Sequence, residues 1–243
     1  LRRGTISDGE ITWAAPETVS SVYVETQYHG FRARYYSPTV AVDSSGSVYV
    51  AANFRQYETY GAHEEESRLC VWKSSLYHNI IMWTQTKVEE REGMFASITE
   101  FKPVLLPCSE GSTMMVVYLV KNPSWSITLR YYTFNPWIGP KTIDPSVANY
   151  PPSASNNPER ENNLHLLYID QDGSPRYAGY KDGSWKIIQS LDSGACSYPS
   201  ITCSEGGELQ AYWVKGNDIY LKRFNGTGWE PTEKIHSGSS SPQ

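Results

Sequence analysis

The stretch from Tyr198 to Ile235 constrains the fold most, because it writes out a complete structural unit in under 40 residues. A first run, Tyr198-Pro199-Ser200-Ile201-Thr202-Cys203, ends at the turn Ser204-Glu205-Gly206-Gly207. Leu209 to Val214 alternates in polarity and turns at Lys215-Gly216-Asn217-Asp218. Ile219 to Phe224 alternates again and leads through Asn225-Gly226-Thr227-Gly228 into a fourth segment, Trp229 to Ile235. Four short strands joined by glycine-bearing turns make one up-and-down antiparallel sheet. Such a sheet cannot bury both of its faces alone, so copies of it must pack on one another.

The copies are present. Residues 1–20 read as a half unit, with Leu1–Ile6 as a third strand, Ser7–Glu10 as the turn and Ile11–Val19 as a fourth strand. A connection over 21–37 carries Tyr28, His29, Arg32, Arg34, Tyr35 and Tyr36. Full units are expected over 38–90, 101–144, 150–191 and 198–235, followed by a Ser-rich tail, 236–243, that lacks a strand pattern. The first full unit holds an acidic insertion from Tyr57 to Ser67, with Glu64, Glu65 and Glu66, between its second and third strands. Fourth-strand tryptophans at Trp13, Trp83, Trp137, Trp185 and Trp229 are spaced 70, 54, 48 and 44 residues apart. That near-period, lengthened early by insertions, is the mark of propeller blades. No segment has helical periodicity over a useful length. The expected fold is therefore all-β: a β-propeller of four-stranded antiparallel blades, four full blades plus a half. The half blade lacks inner strands, so the expectation is a piece of a larger propeller or a partner chain that completes it. The alternative is a five-bladed ring closed by another pairing.

Composition narrows the function classes. A net charge of -5 and a pI near 5.6 exclude the basic field that nucleic acid or an anionic membrane surface requires. No window approaches the uninterrupted apolar length of a membrane span. Leu1-Arg2-Arg3-Gly4 has neither Met nor an apolar signal segment before it, which reads as a processed or engineered start; an extracellular or cell-surface setting is expected. Cys70, Cys108, Cys196 and Cys203 match no metal-ligand spacing. Cys108 and Cys203 are each followed by Ser-Glu-Gly, which marks a packing position on an inner strand. Cys196 and Cys203 lie on segments able to run side by side, so they are either a disulfide or two buried thiols.

Sites for chemistry are few. The five histidines are scattered, and neither a Gly-rich phosphate loop nor a Gly-x-Ser-x-Gly elbow occurs. No cofactor or metal is expected. Asp170, Asp172 and Gly173 hold a fragment of a calcium-loop spacing without its Glu, which reads as a plain turn. Asn225-Gly226-Thr227 is either a glycan acceptor or a tight turn. A carbohydrate site asks only for exposed aromatic faces with Arg, Asp or Asn beside them. Arg34, Tyr35, Tyr36, Arg55, Trp125, Tyr150 and Tyr198 fall by repeat register at or near blade edges and are the candidates. The competing reading of Tyr150 and Tyr198, each preceding a proline, is that they pack between blades.

The glycine-turn-tryptophan signal and the proline-led inner strands resemble the sialidase-like propellers with Asp-box (BNR) repeats. Their box, Ser-x-Asp-x-Gly-x-Thr-Trp, is approached by Thr5 to Trp13 with the spacing off by one, while Ser184-Trp185 and Gly228-Trp229 keep only its end. The stretch from Tyr36 through Ala51 looks like the first catalytic blade of sialidases, which opens (Phe/Tyr)-Arg-Ile-Pro; Tyr36 stands where that Arg belongs. The resemblance implies the propeller fold. Sialidase activity would require three Arg, a Tyr activated by Glu, and an Asp acid. Arg32, Arg34 and Arg55 lie on expected loop ends near one blade, with Tyr57, Tyr60 and Glu58 and Glu64 to Glu66 in its insertion, but no later blade offers an Arg at a matching inner-strand end. The leading expectation is thus a non-catalytic propeller module of an extracytoplasmic protein that binds glycan or a protein partner. A sialidase-type exo-glycosidase, and an assembly module completed by another chain, are the alternatives.

Overall fold

The computed structural model describes residues 4–7, 10–13, 15, 18–19, 31–43, 45–58, 66–77, 80–92, 100–107, 114–121, 127–134, 138–157, 164–181, 183–204 and 206–238. A two-stranded sheet, β1 (Gly4–Ser7) with β2 (Glu10–Trp13), precedes four sheets of four antiparallel strands. The first blade is β3 (Phe31–Val42), β4 (Val48–Glu58), β5 (Glu66–Tyr77) and β6 (Ile80–Glu92). The second is β7 (Glu100–Pro107), β8 (Met114–Lys121), β9 (Ile127–Phe134) and β10 (Ile138–Asp144). The third is β11 (Ser153–Asn156), β12 (Leu164–Ile169), β13 (Pro175–Lys181) and β14 (Ser184–Ser190). The fourth is β15 (Cys196–Cys203), β16 (Leu209–Lys215), β17 (Asp218–Phe224) and β18 (Glu233–Ser237). The inner strands β3, β7, β11 and β15 adjoin one another in that order, so the blades fan out from an arc of first strands. This is a β-propeller arrangement of four-stranded blades.

Its core lies between the sheets. Tyr49, Leu69, Val71, Phe101, Val116 and Tyr118 join the first blade to the second. Met115, Leu129, Leu166, Tyr168 and Trp185 join the second to the third, and Ile169, Tyr177, Ile201, Leu209 and Trp213 join the third to the fourth. Strand alternation decides which residues take part: β16 buries Leu209, Ala211 and Trp213 in one direction while Gln210 and Tyr212 turn away. The buried tryptophan of β14, Trp185, donates from Nε1 to Met115 Sδ of the neighbouring blade at 3.2 Å.

Each blade interface is also pinned by a carboxylate. The fifth residue of the second strand is Tyr118, Tyr168 or Trp213, and each donates to an acid brought by the preceding blade. Tyr118 Oη donates to Glu89 at 2.8 Å, Tyr168 Oη to Asp144 at 2.9 Å, and Trp213 Nε1 to Asp192 at 3.1 Å. A cation joins two of them, Arg130 on Glu89 at 2.8 Å and Lys215 on Asp192 at 3.2 Å. Burial works to raise the Asp192 pKa, yet the Ser193 amide, Lys215 and Trp213 together hold it below the ordinary carboxylate value. Burial first, and then Asp144, push the Tyr168 phenol up, so it stays a donor.

The turns repeat as well. Asp43, Asp170 and Ser204 each open a turn that closes on a glycine with positive φ, Gly46 at 81°, Gly173 at 79° and Gly207 at 85°. The side-chain oxygen of each opening residue accepts the backbone N–H four residues on, from Ser47, Ser174 and Glu208. Glycine is needed there because the left-handed conformation is strained for other residues. Asp170 to Gly173 is therefore a hairpin turn, as expected of it.

Four boundary expectations change. The supposed connection ends at Phe31, since Phe31 to Tyr36 pair with Glu58 to Asn53 as part of β3. Arg34 and Arg55 accordingly sit in strands and not at loop ends. The acidic insertion contributes Tyr57 and Glu58 to β4 and Glu66 and Ser67 to β5; residues 59–65 lie outside the described ones. The fourth strand of the last blade starts at Glu233 and takes in His236 and Ser237, which pair with Ile219 and Asp218 and so are not tail. Trp229 precedes that strand, joined to Phe224 by an isolated bridge, with its ring packed against Tyr177 and Phe224. Cys196 and Cys203 close opposite ends of β15, opposite Lys215 and Leu209, and are free thiols: the side-by-side segments that a disulfide needs are one continuous strand. No helix among the described residues is long and apolar enough to cross a membrane.

Candidate functional site

Two inner strands carry the same defect. In β3 the register slips between Tyr36 and Thr39, and in β15 between Ser197 and Ser200. Pro38 and Pro199 sit in these slips, because proline cannot donate to a ladder. The residue before each proline is barred from the right-handed helical region, and both adopt a left-handed one: Ser37 and Tyr198 each have φ of 50°. For a bulky residue this is a genuine outlier that costs about 1–2 kcal/mol. Its effect is to swing the Tyr198 side chain clear of the sheet.

Tyr198 is 68% exposed, the most exposed of the large apolar side chains in the described structure. Its ring meets Tyr150 edge to face, centroids 5.4 Å apart at 63°. Tyr150 is half-buried against the core between the third and fourth blades. The two tyrosines preceding prolines therefore form one pair in which Tyr150 is the packed base and Tyr198 the open face.

A cavity of about 210 Å³ lies at the corresponding place between the first and second blades, lined by Tyr36, Ser37, Asn53, Arg55, Phe101 and Lys102. The pairings Tyr36 with Asn53 and Arg34 with Arg55 put all four residues on one face of the sheet. The Arg55 guanidinium stands 5.5 Å from the centre of the Tyr36 ring. Lys102 Nζ donates to Asn149 through its backbone oxygen at 2.9 Å and Oδ1 at 2.8 Å. Asn149 precedes Tyr150, so Lys102 ties this cavity to the aromatic pair. Lys102, Asn149, Tyr150 and Tyr198 lie at the end of the blades where inner strands begin, while Tyr36 and Ser37 stand midway along β3.

Of the sequence candidates, Arg34, Tyr36 and Arg55 share one face and Tyr150 and Tyr198 form one pair. Tyr35 points the other way, against Phe54 and Trp72 with centroids 5.4 and 5.3 Å off, in the core of the first blade. Alternation along the strand puts it there. Trp125 and Tyr60 lie outside the described residues. Glu66 is held bidentately by Arg68, at 2.8 and 2.9 Å, and so is committed to an ion pair. Among the described residues no group of three His, Cys, Asp or Glu is placed to hold a metal ion. Asn53, Lys102 and Asn149 escaped the sequence reading, although Lys102 shares with Ser37, Tyr150 and Tyr198 the position just before a proline in or leading into an inner strand.

No protein-family model and no curated protein matches the chain. Solved structures do resemble it. The lectin BP39L from Burkholderia pseudomallei matches with a TM-score of 0.54 at 12% identity, over 92% of this chain and 74% of that one. The Hadza microbial sialidase Hz136 matches with a TM-score of 0.52 at 15% identity, over 80% of this chain; the match covers 45% of the sialidase. A fungal lectin from Aleuria aurantia, described as a six-bladed β-propeller, has a TM-score of 0.47 at 14% identity, over 86% of this chain and 79% of that one. At such identities the likeness concerns the fold.

Proposed function

We propose that this propeller is a non-catalytic glycan-binding module of an extracytoplasmic protein, and that sugar rings stack on Tyr198 at the mouth of the blades. The observation that carries the reading is the Tyr198 ring: exposed, braced by Tyr150, and held outward by a strained backbone that adds nothing to the core. Strain of this kind persists at ligand sites because the surrounding structure over-determines it. Tyrosine suits a sugar, presenting an apolar face to ring C–H groups and a hydroxyl to its edge. Arg55 and Lys102 bring cationic donors to the cavity between the first and second blades, which Lys102 ties to Tyr150 through Asn149. A lectin and a sialidase are among the proteins that share the fold, and this is in keeping with the ligand class. The sialidase-like relationship belongs to the same proposal.

The test is a glycan array probed with the wild type and with Tyr198→Ala, their thermal midpoints measured in parallel. The expected result is binding that weakens at least tenfold in the variant while the midpoint stays put. An empty array, or equal binding by the two proteins, would overturn the reading. Release of a fluorogenic aglycone from a sialoside would convert the module into a hydrolase.

A further inference from the structure

A larger cavity opens between the second and third blades, at the same end of the blades as the tyrosine pair. It measures about 370 Å³ and is lined by Asp144, Ser146, Asp170, Gln171, Asp172 and Arg176. It is formed where β10 ends against the β12–β13 turn. Part of this lining is already committed to the protein. Asp144 accepts from the Ser146 amide and from Tyr168 Oη, both at 2.9 Å. Asp170 accepts from the Ser174 amide at 2.8 Å and from Arg176 Nε at 2.6 Å. Gln171 Oε1 accepts from Ser146 Oγ.

What remains faces the cavity. Arg176 is fixed through Nε alone, and its two Nη groups make no bond among the described residues. The same holds for Gln171 Nε2 and for the exposed carboxylate of Asp172. Fixed donors thus stand beside a free acceptor, in a space that admits one or two sugar rings.

We infer that this cavity is a second carbohydrate site, which takes a neutral sugar through a vicinal diol. Every hydroxyl both donates and accepts. Asp172 accepts from the pair, while the Arg176 fork and the Gln171 amide donate to it. Three Asp against one Arg leave a formal charge of -2 on the lining, which repels carboxylate, sulfate and phosphate groups. The guanidinium in the same wall opposes a bare cation, in keeping with the absence of a metal-holding group among the described residues. The inference takes its ligand class from the function proposed above but shares no residue with the tyrosine site.

The experiment measures binding of the methyl α-glycosides of glucose, mannose and galactose by saturation-transfer NMR and calorimetry, once with chelator and once with calcium present. Wild type, Asp172→Ala, Tyr198→Ala and the double variant are compared. Asp172 is exposed and makes no bond among the described residues, so its variant should unfold at the wild-type midpoint. The expected result is that Tyr198→Ala keeps binding to one of these glycosides, and that adding Asp172→Ala weakens that binding at least tenfold. Loss of all binding in Tyr198→Ala, no effect of Asp172→Ala in that background, binding that requires calcium, or no binding of any of the three by the wild type would each overturn it. Full binding in Tyr198→Ala that Asp172→Ala abolishes would sustain this site while refuting the tyrosine one.

Discussion

His165 gives the sharpest test of the packing between the strands of the third blade. It lies on β12, 6% exposed, with Nδ1 2.8 Å from Tyr177 Oη and its ring stacked on Tyr177 at 6.0 Å. Nε2 is buried without a partner. Burial pulls its pKa down to about 4 from the ordinary 6.5, while burial pushes the Tyr177 phenol up to about 12, which keeps it protonated. The sign follows. Between pH 6.5 and 4 the unfolded chain takes up a proton that the folded chain refuses, so stability is complete above pH 6.5 and is lost as the pH falls towards 4. At about 1.4 kcal/mol per pH unit the loss is about 2 kcal/mol by pH 5 and about 3 kcal/mol by pH 4. The assay is urea unfolding followed by tryptophan fluorescence at pH 7, 6 and 5, on the wild type and on His165→Gln, which cannot titrate. Carboxylates contribute to both proteins alike, so the difference in slope isolates the imidazole. Parallel stability curves across that range would refute the reasoning.

Two further outcomes test the architecture. Glu89→Ala leaves Tyr118 and the partly buried Arg130 without their shared acceptor, and should lower the unfolding free energy by about 3 kcal/mol in chemical denaturation. Gly173→Ala should cost about 2 kcal/mol or more, because its φ is 79° and a Cβ would come within 3.1 Å of Ala195 Cα and Gly194 O. Gly46→Ala has nearly the same φ, 81°, but open space around it, and should cost only about 1 kcal/mol. Equal losses at the two glycines would show that the close approach of the turn to the next blade is not felt.

The repeat was legible because period-two polarity and glycine turns are local signals, complete within each strand. Boundaries were less so. Ser37-Pro38 interrupts the strand pattern as a connection would, yet it is a bulge inside β3, and the ladder resumes on its far side from Tyr36 back to Phe31. His236 and Ser237 look like tail because nothing apolar marks them; the pairing with Ile219 and Asp218 is what makes them strand. For the site, the tyrosines before prolines were visible, but their division of labour was not. Whether such a ring packs or projects depends on the sign of one φ. That sign is positive at Tyr198, beside a register slip that only the neighbouring strand defines.

The same limit applies to the pins between blades, and it says something about how this chain can diverge. The donor always stands fifth in a second strand, a position readable from sequence. Its acid stands 29, 24 and 21 residues earlier for Tyr118, Tyr168 and Trp213, so no fixed spacing reveals it. A drifting offset is what a connection of variable length between blades produces when the contact is kept in space and not along the chain. Where the acid stands in a strand, as Glu89 does in β6 and Asp144 in β10, the loop that leads to the next inner strand can change length while the pin holds the blades together. Asp192 stands in such a loop itself. Tyr150, Asn149 and Ser146 all belong to one such loop, between β10 and β11. Side chains of that loop other than Val147, which is buried between the second and third blades, can be rewritten while the Tyr168–Asp144 pin between β12 and β10 holds.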